Sequence, residues 1–458
     1  MRRTPAAQSG QLAATVCVDV GSTFTKAAAI GPDGSVLAVA QHPTTLATDV
    51  LEGLDAAVAA LGVGEVPDDR VIACSSAGGG LRLAVIGHER VISAEAGRRV
   101  ALSAGARVVA VSAGPLDASA LGVLAEARPD VVLLVGGTDG GDAESLLHNA
   151  AALGPSDLRA PVVVAGNADV VDEAAALVRA RDRVVHVADN VIPRIGALVP
   201  GPARLAIREV FIRHVIGGKG LSSGPRFPSL VGCATPDAVL AGIEVVAEVL
   251  GTRPGAVGDV LVVDVGGATT DVYSVLEPAD DAPAEVVETL WHGRTVEGDL
   301  GMRWSAPDVV GAAVGERLTV SPTLAAAAQR RHDDVALLPR TEAEQGEDLD
   351  LARLAAVIAV RRHARPGPEG MRDLSRVGLV IGSGGVLRHA APHSADQVLA
   401  AVLGDLGGGW RVPERASVQV DRRYLLAPIG LLALAGRADA ARALAAHLLD
   451  APGAQPAP

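Results

Sequence analysis

The sequence predicts an α/β protein of two lobes, with a further α/β segment inserted in the first. Three observations predict it. One pattern occurs twice, in TVCVDVGSTFTKAAAIG and in DVLVVDVGGATTDVYSV: a buried strand ending in an aspartate, a turn of glycines and hydroxyl residues, and a returning strand. Between the two copies, short β-branched runs (RVVAVSAG, DVVLLVGG, PVVVAGN, RVVHVADN) alternate with helical stretches, which is the signature of βαβ units around a parallel layer. The chain has 458 residues, 49% of them apolar, enough for several domains and a large core. Aromatic residues are only 2%, so that core must be built from Ala, Val, Leu and Ile.

Taken in order, residues 1–14 carry two arginines and no continuous apolar run, and read as a disordered tail. Residues 15–70 form the first part of the first lobe. A strand at 15–20, its return at 25–30 and a third strand in SVLAVAQHPT precede a helix with Val50, Leu51, Leu54, Val58 and Leu61 at helical spacing. Strand, hairpin, strand, helix is the first half of a ribonuclease-H-like unit. Residues 71–200 are the α/β insertion, and 201–258 read as connecting helices. In TPDAVLAGIEVVAEVLG, Thr235 can cap, Pro236 suits the first turn and Asp237 favours the positive helix end. Residues 259–445 are the second ribonuclease-H-like lobe, with an acidic, Pro-rich loop at 276–286 and a helical insertion near 305–375. VGLVIGSGGVLRHA restores a buried strand ending in glycines, and YLLAPIGLLALAG reads as a closing strand-to-helix element. Residues 446–458 read as a second tail.

The formal net charge of −13 disfavours a nucleic-acid partner, which requires clustered Lys and Arg. No run of about 18 apolar residues appears, so no membrane span is expected. Three cysteines, Cys17, Cys74 and Cys233, with no CxxC pair, fit a reducing compartment and a cytoplasmic protein. The histidines show no HxxxH or HExxH spacing, so no zinc site is expected.

The turns carry the chemistry. In DVGSTFTK, Asp19 ends a strand, Gly21 allows a tight turn and close approach of a ligand, and Ser22 and Thr23 add hydroxyls beside amides that can face anionic oxygens. In DVGGATTD, Asp264 again ends a strand. Gly266 and Gly267 clear space for phosphate, Thr269 and Thr270 can donate to phosphate oxygens, and Asp271 can orient a water. In IGSGGVLR, Gly382, Gly384 and Gly385 let backbone lie flat against a purine or ribose.

These three stretches resemble the phosphate-1, phosphate-2 and adenosine motifs of the superfamily of actin, sugar kinases and large heat-shock ATPases. The resemblance implies the actin-like ATPase fold, two lobes clamping ATP and Mg²⁺ between the hairpins, with Asp19 and Asp264 on the metal side through waters. It implies hydrolysis with Asp264 or Asp271 orienting the water. The blocks VDVGSTFTK, SSAGGGLR, VGGTDGG, ADNVIP, VDVGGATTDVYSV, RTVEGDLGMR and PIGLLALAG together, in order from about residue 15 to 440, resemble the glutamate mutase L (MutL) family. That resemblance implies an ATP-binding, chaperone-like accessory or reactivating factor for an adenosylcobalamin-dependent mutase such as methylaspartate mutase.

Other readings compete. A small-molecule kinase on the same fold needs a carboxylate base in a substrate pocket, and no such motif stands out. A nucleotide-binding scaffold without turnover would keep the same hairpins. The mutase itself is opposed by the lack of any D-x-H-x-x-G, since no aspartate has a histidine two residues later. An iron–sulfur electron-transfer activator lacks a suitable cysteine pair. LLVGGTDGGD can bind an anion at a helix start, and Arg82 can reach a phosphate. Arg294, Glu297, Asp299 and Arg303 can line a cleft. Lys219 lacks the spacing of a phosphate-binding loop, because Gly220 follows it.

Overall fold

The computed structural model describes residues 14–77, 81–89, 93–104, 106–195, 197–216, 220–254, 258–276, 292–365 and 372–450. The chain divides into two compact units: Met1–Ala241 with Pro278–Leu290 and Gly430–Ala440, and Gly242–Glu277 with Trp291–Ile429 and Ala441–Pro458. The expected N-terminal tail apart from buried Ala14, the loop at 276–286 apart from Leu276, the glycines of SSAGGGLR and Lys219 lie outside the described residues.

In the first unit, β1 (Thr15–Val20), β2 (Phe24–Ile30) and β3 (Val36–Pro43) form an antiparallel meander. Strand β4 (Val71–Ser75) joins β1 in parallel, and β10 (Val231–Ala234) joins β4 in parallel, so the order is β10-β4-β1-β2-β3. Every residue of β1 is buried, because this central strand is covered on both faces. Helix α1 (Val50–Ala60) packs Val50, Leu54 and Ala57 inward, and Asp49 caps it by accepting the Leu51 N–H at 2.8 Å.

A second sheet in this unit is parallel throughout: β5 (Arg82–Gly87), β6 (Arg107–Ala113), β7 (Val131–Leu134), β8 (Val162–Val164) and β9 (Val185–Val187), in the order β6-β5-β7-β8-β9. Between the strands lie α2 (Ser93–Ser103), α3 (Ala118–Glu126), α4 (Glu144–Leu153) and α5 (Val171–Val178). One face shares a continuous core with the first sheet through Leu83, Val85, Val131, Leu133 and Val163. Each such buried Val or Leu contributes about 1.5–3 kcal/mol. Helices α6 (Gly201–Val210), α7 (Arg226–Leu230) and α8 (Thr235–Gly251) follow.

Two expected boundaries change here. Val71–Ser75 belongs to the first sheet and not to the insertion, and the segment read as connecting helices contains the edge strand β10. Composition could not separate these cases. VIACS looks like any insertion strand, and VGCA is too short to show a period; only pairing assigns them.

The second unit repeats the first order. Strands β11 (Val260–Val265), β12 (Thr270–Val275) and β13 (His292–Glu297) are antiparallel neighbours, and β14 (Leu379–Ser383) and β15 (Ser417–Val420) add in parallel, giving β13-β12-β11-β14-β15. Its core is closed by α9 (Ala306–Gly315), α10 (Leu324–Asp333), α11 (Glu342–Ala364), α12 (Gly385–His389) and α13 (Pro392–Ala400). Helix α11 starts with a capping box, Thr341 bonding the Glu344 N–H and Glu344 bonding back. YLLAPIGLLALAG holds no strand: it is α14 (Leu426–Leu434), whose first N–H groups at Leu425 and Leu426 are taken by buried Asp421 at 2.8 and 3.0 Å. Of the expected tail from 446, residues 446–449 belong to α15 (Ala438–Leu449), which buries Leu448 and Leu449, and residues 451–458 lie outside the described residues.

His363 of α11 is buried, with Nε2 2.9 Å from the Ser274 hydroxyl and Nδ1 3.0 Å from the Thr295 hydroxyl. Burial, reinforced by Arg372, holds this imidazole well below its ordinary value of 6.5. The folded state therefore keeps it neutral while the unfolded chain takes up a proton below that value. Stability is present above about pH 6.5 and is lost as pH falls, by up to about 1.4 kcal/mol per pH unit for one proton. Urea midpoints measured from pH 7.5 to 5.5 are expected to fall, and His363→Gln is expected to flatten that slope.

Candidate functional site: two acid–glycine hairpins

The loop Gly21–Thr23 leaves a closed ladder in which Asp19 pairs with Lys26 and Val20 with Thr25. The Gly21 N–H bonds the Phe24 carbonyl at 3.2 Å, and a Cβ on Gly21 would lie 2.8 Å from that oxygen. The bend is therefore too tight for a side chain. Its outer side is braced by Thr44, which donates its hydroxyl to the Gly21 carbonyl at 2.8 Å and its N–H to the Thr23 carbonyl at 2.9 Å. Ser22 and Thr23 are exposed, and among the described residues nothing bonds their hydroxyls.

Asp19 is buried and held by three donors. Lys26 Nζ lies 3.2 Å from Oδ2, and Thr235 Oγ1 and Cys74 Sγ lie 2.5 and 3.6 Å from Oδ1. Burial, then the charge of Asp19, push the Cys74 thiol well above its ordinary value, so it stays protonated and can donate. Lys26 and Thr235 were not identified from the sequence as part of this site. By its sequence context Thr235 is a helix-cap candidate. The signal for Lys26 was present, since a four-residue offset between Val20 and the return strand puts it opposite the acid.

In the second unit the equivalent loop is Gly266–Thr269. The Gly266 N–H bonds the Thr269 carbonyl at 2.9 Å, and a Cβ on Gly266 would lie 2.8 Å from it. The carbonyls of Gly266 and Gly267 are tied back by the N–H groups of Met302, Arg303 and Trp304 at 3.0, 2.8 and 3.1 Å. The Thr269 hydroxyl has no partner among the described residues. Thr270 differs from expectation: its side chain is fully buried and its hydroxyl donates to the Leu300 carbonyl at 2.5 Å. Strand alternation is the reason, because Thr270 faces the helices together with Val265 and Val272.

Asp264 and Asp271 are direct partners across β11 and β12 and share the opposite face. Both are half-buried. Asp271 Oδ2 lies 3.4 Å from Arg294 Nη2, and Oδ1 is buried with no hydrogen-bond partner. Burial raises the Asp271 carboxyl, and Arg294 opposes that rise. Arg294 also stands over the Tyr273 ring, 5.4 Å from its centroid.

The charges of RTVEGDLGMR are paired within this unit. Arg294 meets Asp271, and Glu297 and Asp299 both bind Arg362 of α11 at 2.8 and 2.7 Å. Arg303 meets Asp348 at 3.1 Å. In the first unit Arg82 is held by the carbonyls of Ala127 and Arg128.

The third glycine stretch also divides. A Cβ on Gly382 would run into Leu387 and Leu399, so this position packs helices against β14 and has no ligand-facing surface. Gly384 has φ +100 and a Cβ there would overlap the Val265 carbonyl, so it lets the chain cross the end of β11. Only Gly385 is exposed with open space beside it. Among the described residues no cluster of three or more His, Cys, Asp or Glu could cage a metal. Magnesium, which keeps several of its waters, needs no such cage.

Two five-stranded sheets of one order, each opening on an acid–glycine hairpin, define an α/β protein of the actin-like ATPase fold. The family model described as MutL protein matches residues 15–448, and the chain belongs to that family. Protein MutL of Clostridium tetanomorphum is 34% identical over 445 residues, spanning 92% of this chain and 96% of that one. Among solved structures, a nucleotide-free acetone carboxylase aligns at TM-score 0.39 and 12% identity over 91% of this chain and 70% of its own. A glycerol dehydratase reactivase aligns at TM-score 0.34 and 12% identity over 93% and 100%. The two strand orders identify the fold. No helix among the described residues is long and apolar enough to cross a membrane.

Proposed function

We propose that the chain binds ATP with Mg²⁺ through Asp19–Thr23 and Asp264–Asp271, hydrolyses it, and acts as an accessory, reactivating factor for an adenosylcobalamin-dependent mutase. The observation that carries the nucleotide reading is the Asp264–Asp271 pair beside a glycine loop, with one Asp271 oxygen buried and lacking a partner.

In this reading the hydroxyls of Ser22, Thr23 and Thr269 and the loop amides receive phosphate oxygens. Lys26 places a positive charge next to Gly21, its Nζ 3.9 Å from where a Cβ would stand. Asp271 orients the attacking water, while Arg294 fixes its Oδ2. Its raised affinity for a proton moves it toward the range in which a carboxylate can also take one. Asp264 and Asp19 would hold magnesium through waters; Asp19 already accepts three bonds and has room for one more. Magnesium, when bound, neutralises phosphate charge. Gly385 supplies the open backbone next to the base. The mutase role is supported by the family to which the chain belongs.

The test is ATP hydrolysis by the purified chain, alone and with candidate cobalamin mutases. The expected result is weak turnover that rises with the cognate mutase, ATP-dependent association, and recovery of a mutase inactivated on damaged cobalamin. Phosphoryl transfer to small acids or sugars, with no response to any mutase, would replace this reading with a kinase.

A further inference from the structure

The inserted parallel sheet reverses its order beside β5: β6 lies on one side, and β7, β8 and β9 follow on the other. The connections leaving β5 and β7 therefore run in opposite directions, and such a reversal leaves a crevice at the carboxyl ends of the strands, where ligands of open α/β sheets bind. A cavity of about 180 Å³ lies there, with His88, Glu89, Gly137, Thr138, Asp142 and Ile192 in its walls. It exceeds the roughly 150 Å³ that accommodates benzene in a protein interior.

One wall is a glycine turn. Gly137 has φ +71, and a Cβ there would overlap the Asp142 carbonyl, so the loop is built around a glycine. Its carbonyls are tied into the protein: Gly136 accepts from the Asn167 N–H at 3.0 Å and Gly137 from Asn190 Nδ2 at 3.0 Å. Both asparagines are buried. In a trans peptide the next N–H points opposite to the carbonyl. The N–H groups of Gly137 and Thr138 thus turn away from these asparagines, and among the described residues neither meets an acceptor.

Another part of the wall offers acceptors. Glu89 and Asp142 both line the same small cavity, with the Asp142 carboxylate 3.8 Å from His88 Nδ1. Two negative charges repel a phosphate dianion, which narrows the anion site expected at VGGTDGG. Two free amides are equally poor partners for a bare cation. A ligand carrying one carboxylate and one ammonium satisfies both sides, and Ile192 with Ile195 gives it an apolar wall.

We propose that this cavity binds a small α-amino acid, with its carboxylate on the Gly137 and Thr138 N–H groups and its ammonium facing Asp142 and Glu89. The site uses none of the residues assigned to nucleotide and stands independently of that reading.

Isothermal titration of the full chain against the twenty standard L-amino acids tests it. At least one is expected to bind with one-to-one stoichiometry. Its N-acetyl derivative and its methyl ester, each lacking one charge, are expected to bind at least tenfold more weakly, a comparison that needs no variant to fold. Asp142→Asn is expected to weaken the same amino acid about tenfold and to leave ATP binding unchanged. Absence of binding by any amino acid overturns the proposal, as does binding of inorganic phosphate or methylamine as tight as the best amino acid.

Discussion

Asp264→Ala is expected to reduce nucleotide turnover by about 10²–10³-fold while leaving the fold intact. The size follows from what removal of one preorganised charge-stabilising group costs at a reacting phosphate, about 2.7–4 kcal/mol. The fold should survive because Asp264 is only half-buried, at the last turn-facing position of β11, and contributes no side chain to the core that Leu261, Val263 and Val265 form on the other face. Phosphate release under saturating ATP measures the first effect, and far-ultraviolet circular dichroism with a urea midpoint measures the second. Hydrolysis at the unaltered rate, in a folded variant, sinks the assignment of this hairpin. A variant that no longer folds would mean that the acid is structural.

Arg331→Ala is expected to cost about 3–5 kcal/mol of stability, the typical cost of removing one partner of a buried ion pair. Arg331 is fully buried in α10. It binds Asp348 at 2.5 Å, Glu347 at 2.9 Å, and the carbonyls of Ala327 and Glu344 at 2.9 Å each. Removing the guanidinium leaves Asp348 with Arg303 alone. Arg303 in turn donates its N–H to the Gly267 carbonyl, so the loss reaches the glycine hairpin. Urea unfolding at pH 7.5 measures the cost. Arg331→Met, which restores volume without charge, is expected to be nearly as damaging. If Met instead recovers most of the stability, packing and not charge is what Arg331 supplies.

Much of the fold was legible because it rests on local pattern. The strands at Asp19 and Asp264 are runs of β-branched residues closed by glycine turns, and the helix at Val50 shows its period directly. Strand β13 was not legible: HGRTVE is short, polar and charged, and it is a strand because it pairs with β12. The same holds for β10. Edge strands take their identity from a neighbour's hydrogen bonds, which no window of sequence contains.

The site divides the same way. Residue type and spacing were enough to bring Asp19, Asp264, Asp271 and the glycines of both hairpins to attention, because glycines that allow a tight turn, placed next to an acid at a strand end and beside hydroxyl residues, bring charge and donors to one bend. Which of those side chains is available was decided by tertiary structure. Thr269 and Thr270 are adjacent and chemically alike, yet the pleat sends the second into the helices, where Leu300 takes its hydroxyl. Gly382 and Gly385 are equally small, yet leucines fill the space beside one and leave the other open. Thr235 and Arg294 join the acids only through packing and strand register, whereas Lys26 faces Asp19 across its own hairpin. Sequence alone determined where the chain can bend and carry charge, since that is local backbone chemistry; the fold decided which charges meet and which are sealed away, since that depends on neighbours the chain brings together only when it closes.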